Sequence, residues 1–438
     1  MYNLYHPLRS FEEGEDYVEV VESEGIILKD SRGKEYKDFI SGLWNMPLGY
    51  SNEKVKNSIK DQLDRLPYVN LFNLSNDIDK KLAEKLYLMT DKEFVKTIYT
   101  CTGSESIEVA IKLAHKYQYI LGNKDKKNIA VLDMSYHGTY YGSMSVSGMD
   151  YPFVKEGYGQ ILNNIKYLKT PMCRCCKTED IKDSCMKEFM SDLELFIEEN
   201  GDELAAFLLE PILGSAGVIP IPKQYMNRIK QVCEEKDILL IFDEVATGFA
   251  RTGSMFAYEL YGVKPDIMLL SKGINNGYIP MGAALINDKV NKVMSSVEEP
   301  FFHLSTQNGN PLGCASALAS IEIYEEENYC EIVREKGEKF KEMLINKLGK
   351  YPSVFEIRQV GFMFAIELSK SKTERLKIDD FRIEELIKKL VYKGTLIYGY
   401  YTSISSGLTL MPSFITTEEE WLAGIKDIEN AIKRVAIS

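Results

Sequence analysis

The sequence predicts an α/β protein: a mostly parallel, seven-stranded-type sheet with helices on both faces, joined to a smaller α+β unit. Three observations carry that expectation. Short apolar runs recur through the middle of the chain, at Lys96–Tyr99, Ile129–Leu132, Ala205–Leu209, Ile238–Phe242, Asp266–Leu270 and Gly282–Ile286. Helix-sized amphipathic segments, such as Val55–Leu66 and Ile78–Met89, alternate with strand-sized runs. Strands apolar along their whole length belong to a parallel sheet covered on both faces. The ends of the chain read differently. Gly25–Asp30 and Lys34–Phe39 form a hairpin bent at Ser31-Arg32-Gly33. After about Gly313 one long helical stretch runs toward Lys347, followed by strand-like Gly361–Leu368, a helix near Ile383–Tyr392 and a last helix from Thr417. The expected division is 1–50 as the N-terminal segment of a small lobe, 51–313 as the large domain, and 314–438 as the C-terminal small domain.

Composition narrows the class of function. The 438 residues are 45% hydrophobic and 27% charged, so the chain can bury a large core without a disulfide or metal staple. Lys and Arg total 53 against 65 for Asp and Glu, a formal charge of −12, which disfavours a nucleic-acid partner. No apolar run approaches the roughly 18 residues of a membrane span. Met1–Pro7 lacks the basic start and apolar block of a signal peptide, so a cytoplasmic location and no membrane partner are expected. Cys173, Cys175, Cys176 and Cys185 cluster in sequence. Their C-x-C-C-x8-C spacing lacks the paired C-x2-C clips of structural zinc. They are therefore read as reduced thiols on a polar, lysine-rich excursion, with no metal expected.

Three motifs carry chemistry. Thr102-Gly103-Ser104-Glu105-Ser106 lies between a strand and a helix, where free backbone N–H groups, a hydroxyl and the positive helix end make a phosphate seat. Ser104 is also simply a good cap residue. No G-x-x-x-x-G-K-[ST] sequence is present, which disfavours nucleotide hydrolysis. Asp243 follows the run Ile238–Phe242, and the C-terminal end of a parallel strand is where open α/β sheets bind their ligands. Lys272 follows Asp266–Leu270 at another such end. A lysine packed against apolar surface can lose its proton and act as an amine nucleophile.

Phosphate seat, aspartate and lysine in this order are what a pyridoxal phosphate site requires. The chain resembles the class III (ω-type) aminotransferases of pyridoxal-phosphate fold type I over nearly its whole length. The most specific matches are Phe242-Asp243-Glu244-Val245-Ala246-Thr247-Gly248-Phe249-Ala250-Arg251-Thr252-Gly253, then Lys264-Pro265-Asp266 and Ser271-Lys272-Gly273. The resemblance implies pyridoxal 5'-phosphate joined to Lys272 as a Schiff base. Asp243 would face the ring nitrogen, with Val245 on one ring face and Tyr136, of Tyr136-His137-Gly138, on the other. Gly103 and Ser104 would hold the phosphate, and His137 would belong to the cofactor-binding set. Thr306 would reach the phosphate of a neighbouring subunit, making the working unit a homodimer with shared active sites.

Toward the substrate, the resemblance implies that Trp44 shapes the amine side of the pocket. Tyr136 could touch the substrate, and Glu210 would lie near its entrance. The departures are informative. Arginines that bind carboxylate in relatives would fall at Thr409 or within Leu396–Tyr400, and neither place holds one. A glutamine that supports the cofactor's phenolic oxygen is replaced by Leu213. Arg358 is read as a structural salt-bridge residue. The implied activity is transfer of an amino group between an amine or ω-amino acid and a keto acid or other carbonyl acceptor by ping-pong chemistry. An aminomutase or amino acid racemase of the same fold would keep these motifs, as, more remotely, would a non-catalytic cofactor-binding protein.

Overall fold

The computed structural model describes Pro7 and residues 17–149, 156–158 and 162–434; the leader reading of Met1–Pro7 lies, apart from Pro7, outside the described residues. The large sheet has seven strands. In spatial order they are Phe94–Thr100, Gly282–Asn287, Ile267–Leu270, Leu239–Asp243, Leu204–Leu209, Asn128–Leu132 and Ile165–Leu168. Only Gly282–Asn287 runs antiparallel to its neighbours. The edge strand Ile165–Leu168 escaped the sequence reading because it is short and mostly half-exposed, so no continuous apolar run marks it.

Side chains alternate across this sheet, as the two-residue period of a strand requires. Ile129, Val131, Leu208, Leu239, Ile241, Ile267 and Leu269 pack on one side with the helix Gly103–Ile120, through Ile107, Ala110, Leu113 and Ala114. Ala130, Leu132, Phe207, Leu240, Phe242, Met268 and Leu270 face the other side, where Tyr225, Met226, Ile229 and Val232 of the helix Lys223–Glu235 belong to the same core. Both faces are covered, so continuous apolar runs are what this sheet demands.

The ends of the chain meet in a four-stranded sheet. Val20–Glu24, Ile27–Asp30 and Glu35–Asp38 pair antiparallel, and Thr395–Leu396 joins Glu35–Asp38 in parallel. A second, antiparallel sheet orders Val354–Val360, Met363–Leu368, Ser406–Leu410 and Tyr398–Tyr401. The single long helix expected after Gly313 is instead two, Pro311–Glu326 and Tyr329–Leu348. Asn328 takes a left-handed conformation (φ 51°) between them. Asparagine tolerates that region better than most residues, and side-chain periodicity alone does not register such a break.

Candidate active site

The parallel register sets Asp243 opposite Leu269 on the adjoining strand. Lys272, three residues further on, leaves the same sheet edge as Asp243. It opens a 3-10 turn over Lys272–Asn275 with φ at 43°, a left-handed conformation that costs a lysine energy and persists only when its surroundings impose it. They do so here. Ser271 Oγ donates to the Met281 carbonyl at 2.7 Å, and Tyr324 OH donates to the Gly273 carbonyl at 2.7 Å.

Lys272 Nζ is buried, and burial pushes its pKa below the ordinary lysine value. Asp243 and Glu210 oppose that shift, while Arg251 adds to it. None of the described carboxylates forms an ion pair with Nζ; instead it sits 4.6 Å from the ring centre of Trp44. Asp243 is held from two sides. His137 Nδ1 lies 2.7 Å from Oδ2, and the Val245 N–H donates to Oδ1 at 3.0 Å. His137 Nε2 is buried without a partner among the described residues.

The segment expected to seat a phosphate is drawn together by close approaches that glycine permits. Thr102 caps the helix Gly103–Ile120, its Oγ1 accepting from the Glu105 N–H at 3.0 Å. The first amides of any helix lack intrahelical acceptors and carry the positive dipole end. A Cβ on Gly103 would sit 3.0 Å from Val245 Cγ1, and one on Gly138 would fall 2.2 Å from Ser104 Oγ. Small residues thus bring the helix start, Val245 and the Tyr136–Gly138 loop around one cradle. This donor set fits a phosphorylated ring compound: amides and a hydroxyl at one end, a carboxylate at the other, and an unpaired amine within reach of both.

Trp44 lies in a tight segment, Ser41–Trp44, with positive φ at Ser41, Gly42 and Trp44. Asp38 holds this segment by accepting from Ile40 N at 2.8 Å, Gly42 N at 2.6 Å and Tyr50 OH at 2.8 Å. Nothing in the local sequence around Asp38 marks that role. The Trp44 ring is buried against Gly214, where a Cβ would meet it at 2.9 Å, and its Nε1 has no partner among the described residues. Ile212, Val218, Met363, Tyr400 and Met411 complete this apolar wall.

Several expectations change. Glu210 is buried, with Oε1 accepting from the Tyr136 N–H at 2.9 Å and Oε2 from the Gly214 N–H at 3.1 Å. It therefore positions the Tyr136 loop. Burial, with the nearby Asp243 charge, raises its pKa to about 7. Tyr136 keeps part of its ring exposed and lies near Tyr398, which occupies the tyrosine-rich stretch where an arginine was sought. Thr409 is buried with its hydroxyl unpartnered among the described residues. Arg358 is the structural residue expected: it bonds Glu356, Glu367, the Gly217 carbonyl and Tyr400 OH. Leu213 is buried and apolar on a two-residue strand. Thr306 is exposed in a loop whose carbonyl accepts from Tyr68 OH at 2.8 Å. The 173–185 segment is polar and largely exposed, with free thiols, but Cys176 and Cys185 turn inward and are buried.

A seven-stranded mixed sheet with a lysine and an aspartate at one edge, joined to a smaller sheet domain, is the architecture of the fold type I transaminases. The chain belongs to the class III aminotransferases: the family model "Aminotransferase class-III" matches residues 10–432. It is 32% identical to an adenosylmethionine-8-amino-7-oxononanoate aminotransferase of Methanocaldococcus jannaschii, covering 98% of this chain and 96% of that protein. It is 34% identical to a probable mitochondrial gamma-aminobutyrate transaminase of Oryza sativa, covering 83% and 73%. Among solved structures, an amine transaminase from an uncultivated Pseudomonas species, in a PLP-bound form, matches with a TM-score of 0.91. That match has 30% identity and covers 99% of both chains. The protein is an enzyme, a transaminase.

Proposed function

We propose that the enzyme holds pyridoxal 5'-phosphate at this sheet edge through Lys272. With it, the enzyme moves an amino group between a primary amine, or the terminal amine of a larger molecule, and a carbonyl acceptor. The observation that carries the reading is the buried Lys272 amine, without an ion pair among the described residues, next to Asp243. When bound, the cofactor supplies an electron-withdrawing ring that accepts the electron pair of a breaking C–H bond.

The chain's own residues do the rest. Lys272 Nζ, its pKa lowered by burial, is available as a neutral amine to take a proton from substrate carbon and return it. Asp243, aligned by His137 and the Val245 N–H, is placed to keep a proton on a ring nitrogen. Gly103 and Ser104 offer N–H and hydroxyl donors to phosphate. Val245 and Tyr136 would flank the ring. Trp44 excludes water on the amine side and shapes which substrates enter.

The absence of an arginine at position 409 and within Leu396–Tyr400 supports an amine, aldehyde or ketone as one partner, because a phenol does not replace a bidentate guanidinium toward carboxylate. Tyr68, which bonds the Thr306 carbonyl, and Phe302 and Leu304 just before Thr306 are exposed, as are Phe72 and Leu74, and these apolar side chains support a homodimer that covers them. Segments 1–50 and 314–438 are read as one small domain against 51–313, supported by the pairing of Thr395–Leu396 with Glu35–Asp38.

The test is a half-reaction. Enzyme loaded with pyridoxal 5'-phosphate and given a primary amine alone should convert to the amine form of the cofactor and stop. A carbonyl acceptor should restore the starting spectrum. Continued turnover on one substrate would instead identify an isomerase. Borohydride treatment should fix the cofactor on Lys272, read by peptide mass, and label found elsewhere would overturn the site. Light scattering at micromolar concentration should give twice the chain mass.

A further inference from the structure

The aminotransfer site uses none of the eight cysteines, and none of them is in a disulfide. Four converge. The sulfurs of Cys173, Cys175, Cys176 and Cys185 all lie within 4.8 Å of one another. We propose that these four side chains bind one zinc ion, which clasps the loop carrying Cys173–Cys176 to the first turn of the helix Asp183–Asn200.

The geometry is the first argument. A tetrahedral ion with Zn–S bonds of about 2.3 Å places its sulfurs roughly 3.8 Å apart. Here Cys173–Cys176, Cys175–Cys185 and Cys173–Cys175 are separated by 2.7, 3.3 and 3.7 Å. An ion at their centre needs the closest pair to spread by about 1.1 Å, roughly half of that at each sulfur. The spacing that argued against a metal also reads differently once folded. Cys173 and Cys176 are themselves a C-x2-C clip, disguised by the extra thiol at 175. Cys185 arrives from the first turn of the helix Asp183–Asn200, completing a set drawn from a loop and a helix.

The surroundings are the second argument. Thiolate–metal centres are held by a shell of hydrogen bonds around the ligands. The Cys175 N–H is directed at the Cys173 sulfur and the Lys182 N–H at the Cys176 sulfur. Arg375, buried and cationic, donates to the carbonyls of Cys173 and Cys176, and its own N–H donates to the Arg174 carbonyl at 2.8 Å. Four thiolates around a dication leave two negative charges in excess, and Arg174 and Lys177 in the same loop offset them, the charge of Arg375 being matched by Glu356 and Glu367. Cys176 and Cys185 are buried among apolar side chains while Cys175 is exposed, which leaves an entry path. No histidine or carboxylate belongs to the cluster, so among the described residues nothing there would serve a thiol as general base. Binding releases up to four protons from the thiols and transfers no electrons.

The clasp reaches the pocket wall. Arg375 is paired with Glu356 and Glu367; these bind Arg358, and Arg358 donates to Tyr400 OH and to the Gly217 carbonyl. Thr178 of the same loop donates twice to Glu356.

The test uses the full chain, purified with a thiol reductant and without chelator. Elemental analysis should find about one zinc per chain, and exchange with cobalt(II) should give the thiolate-to-metal and tetrahedral bands of a sulfur-only site. Organomercurial titration should release the zinc as the fourth thiol reacts. Cys185→Ser and the exposed-site variant Cys175→Ser should each lower zinc content about tenfold or more while pyridoxal phosphate content is retained. The second variant keeps the test decisive if the first does not fold. Less than about a tenth of an equivalent of zinc after reconstitution would overturn the proposal. So would a Cys173–Cys176 disulfide in anaerobically purified protein, or cobalt bound in an octahedral oxygen site.

Discussion

Two clusters of buried charge flank the pocket wall, and they are built on opposite rules. In the small sheet, Arg358 and Arg375 share Glu356 and Glu367, with Glu356 also taking the Thr178 hydroxyl and N–H. At the edge of the large sheet, Lys272 has no ion pair among the described residues, and the buried Nε2 of His137, Nε1 of Trp44 and Nη2 of Arg251 lack partners. Burying an uncompensated polar group costs on the order of 1–3 kcal/mol, and more for a charge. The first cluster has its groups satisfied and serves structure. The second is left open, and unpartnered polar groups gathered at a sheet edge are what a ligand with complementary groups completes.

The comparison breaks most visibly at Lys272. Lys272→Ala should reduce single-turnover amino transfer by at least about 10³-fold, since it removes both the covalent anchor and the acid–base group; its circular dichroism should be unchanged. Next comes Arg375→Met, which leaves Glu356 and Glu367 short of a cation in a buried setting. It should destabilise the protein by about 3–5 kcal/mol in urea unfolding, the range for breaking a buried pair from one side. A loss under about 1 kcal/mol would show that this network is not the compensated cluster described here.

The sign should reverse at the site. In cofactor-free protein, Lys272→Met removes a buried, unpaired amine and should raise stability by roughly 1–2 kcal/mol, measured in the same urea series. Equal destabilisation by both methionine variants would erase the distinction between the clusters.

The smallest effect is a pH dependence. Burial raises Glu210 from the ordinary 4.5 to about 7, so between these values the folded chain binds a proton that the unfolded chain has released. Its contribution to stability is therefore present below about pH 4.5 and is lost as the pH rises through about 7. Glu244, raised to about 7 for the same reason, acts in parallel. Calorimetric midpoints of cofactor-free protein across this window should fall less steeply with rising pH for Glu210→Gln than for the native chain. Parallel curves would sink the assignment.

Much of the site could be read before folding because its parts are local motifs. Asp243 and Lys272 each follow an apolar strand, and a strand end is visible as the end of a run. Gly103 and Ser104 open a helix whose periodicity begins with them. Other roles needed contacts across the chain. Asp38 lies in a plain hairpin, yet it organises the Trp44 turn. The role of Glu210 in holding the Tyr136 loop was hidden because Leu209-Glu210-Pro211 says nothing of the amides at Tyr136 and Gly214. The strand Ile165–Leu168 and the break at Asn328 were missed because one lacks an apolar run and the other leaves the helical pattern on both sides intact.

By itself, then, the chain's order of residues determined the α/β class, the strands that end in Asp243 and near Lys272, and the glycine-led helix start between them. These depend on side-chain periodicity and on turn chemistry over a few neighbours. Which buried charges would be paired was decided only in three dimensions, because Arg375 meets the Cys173 and Cys176 carbonyls about two hundred positions away in sequence. The same is true of the four thiols: their spacing along the chain argued against a common ligand, and the folding of one loop against one helix end brought them together.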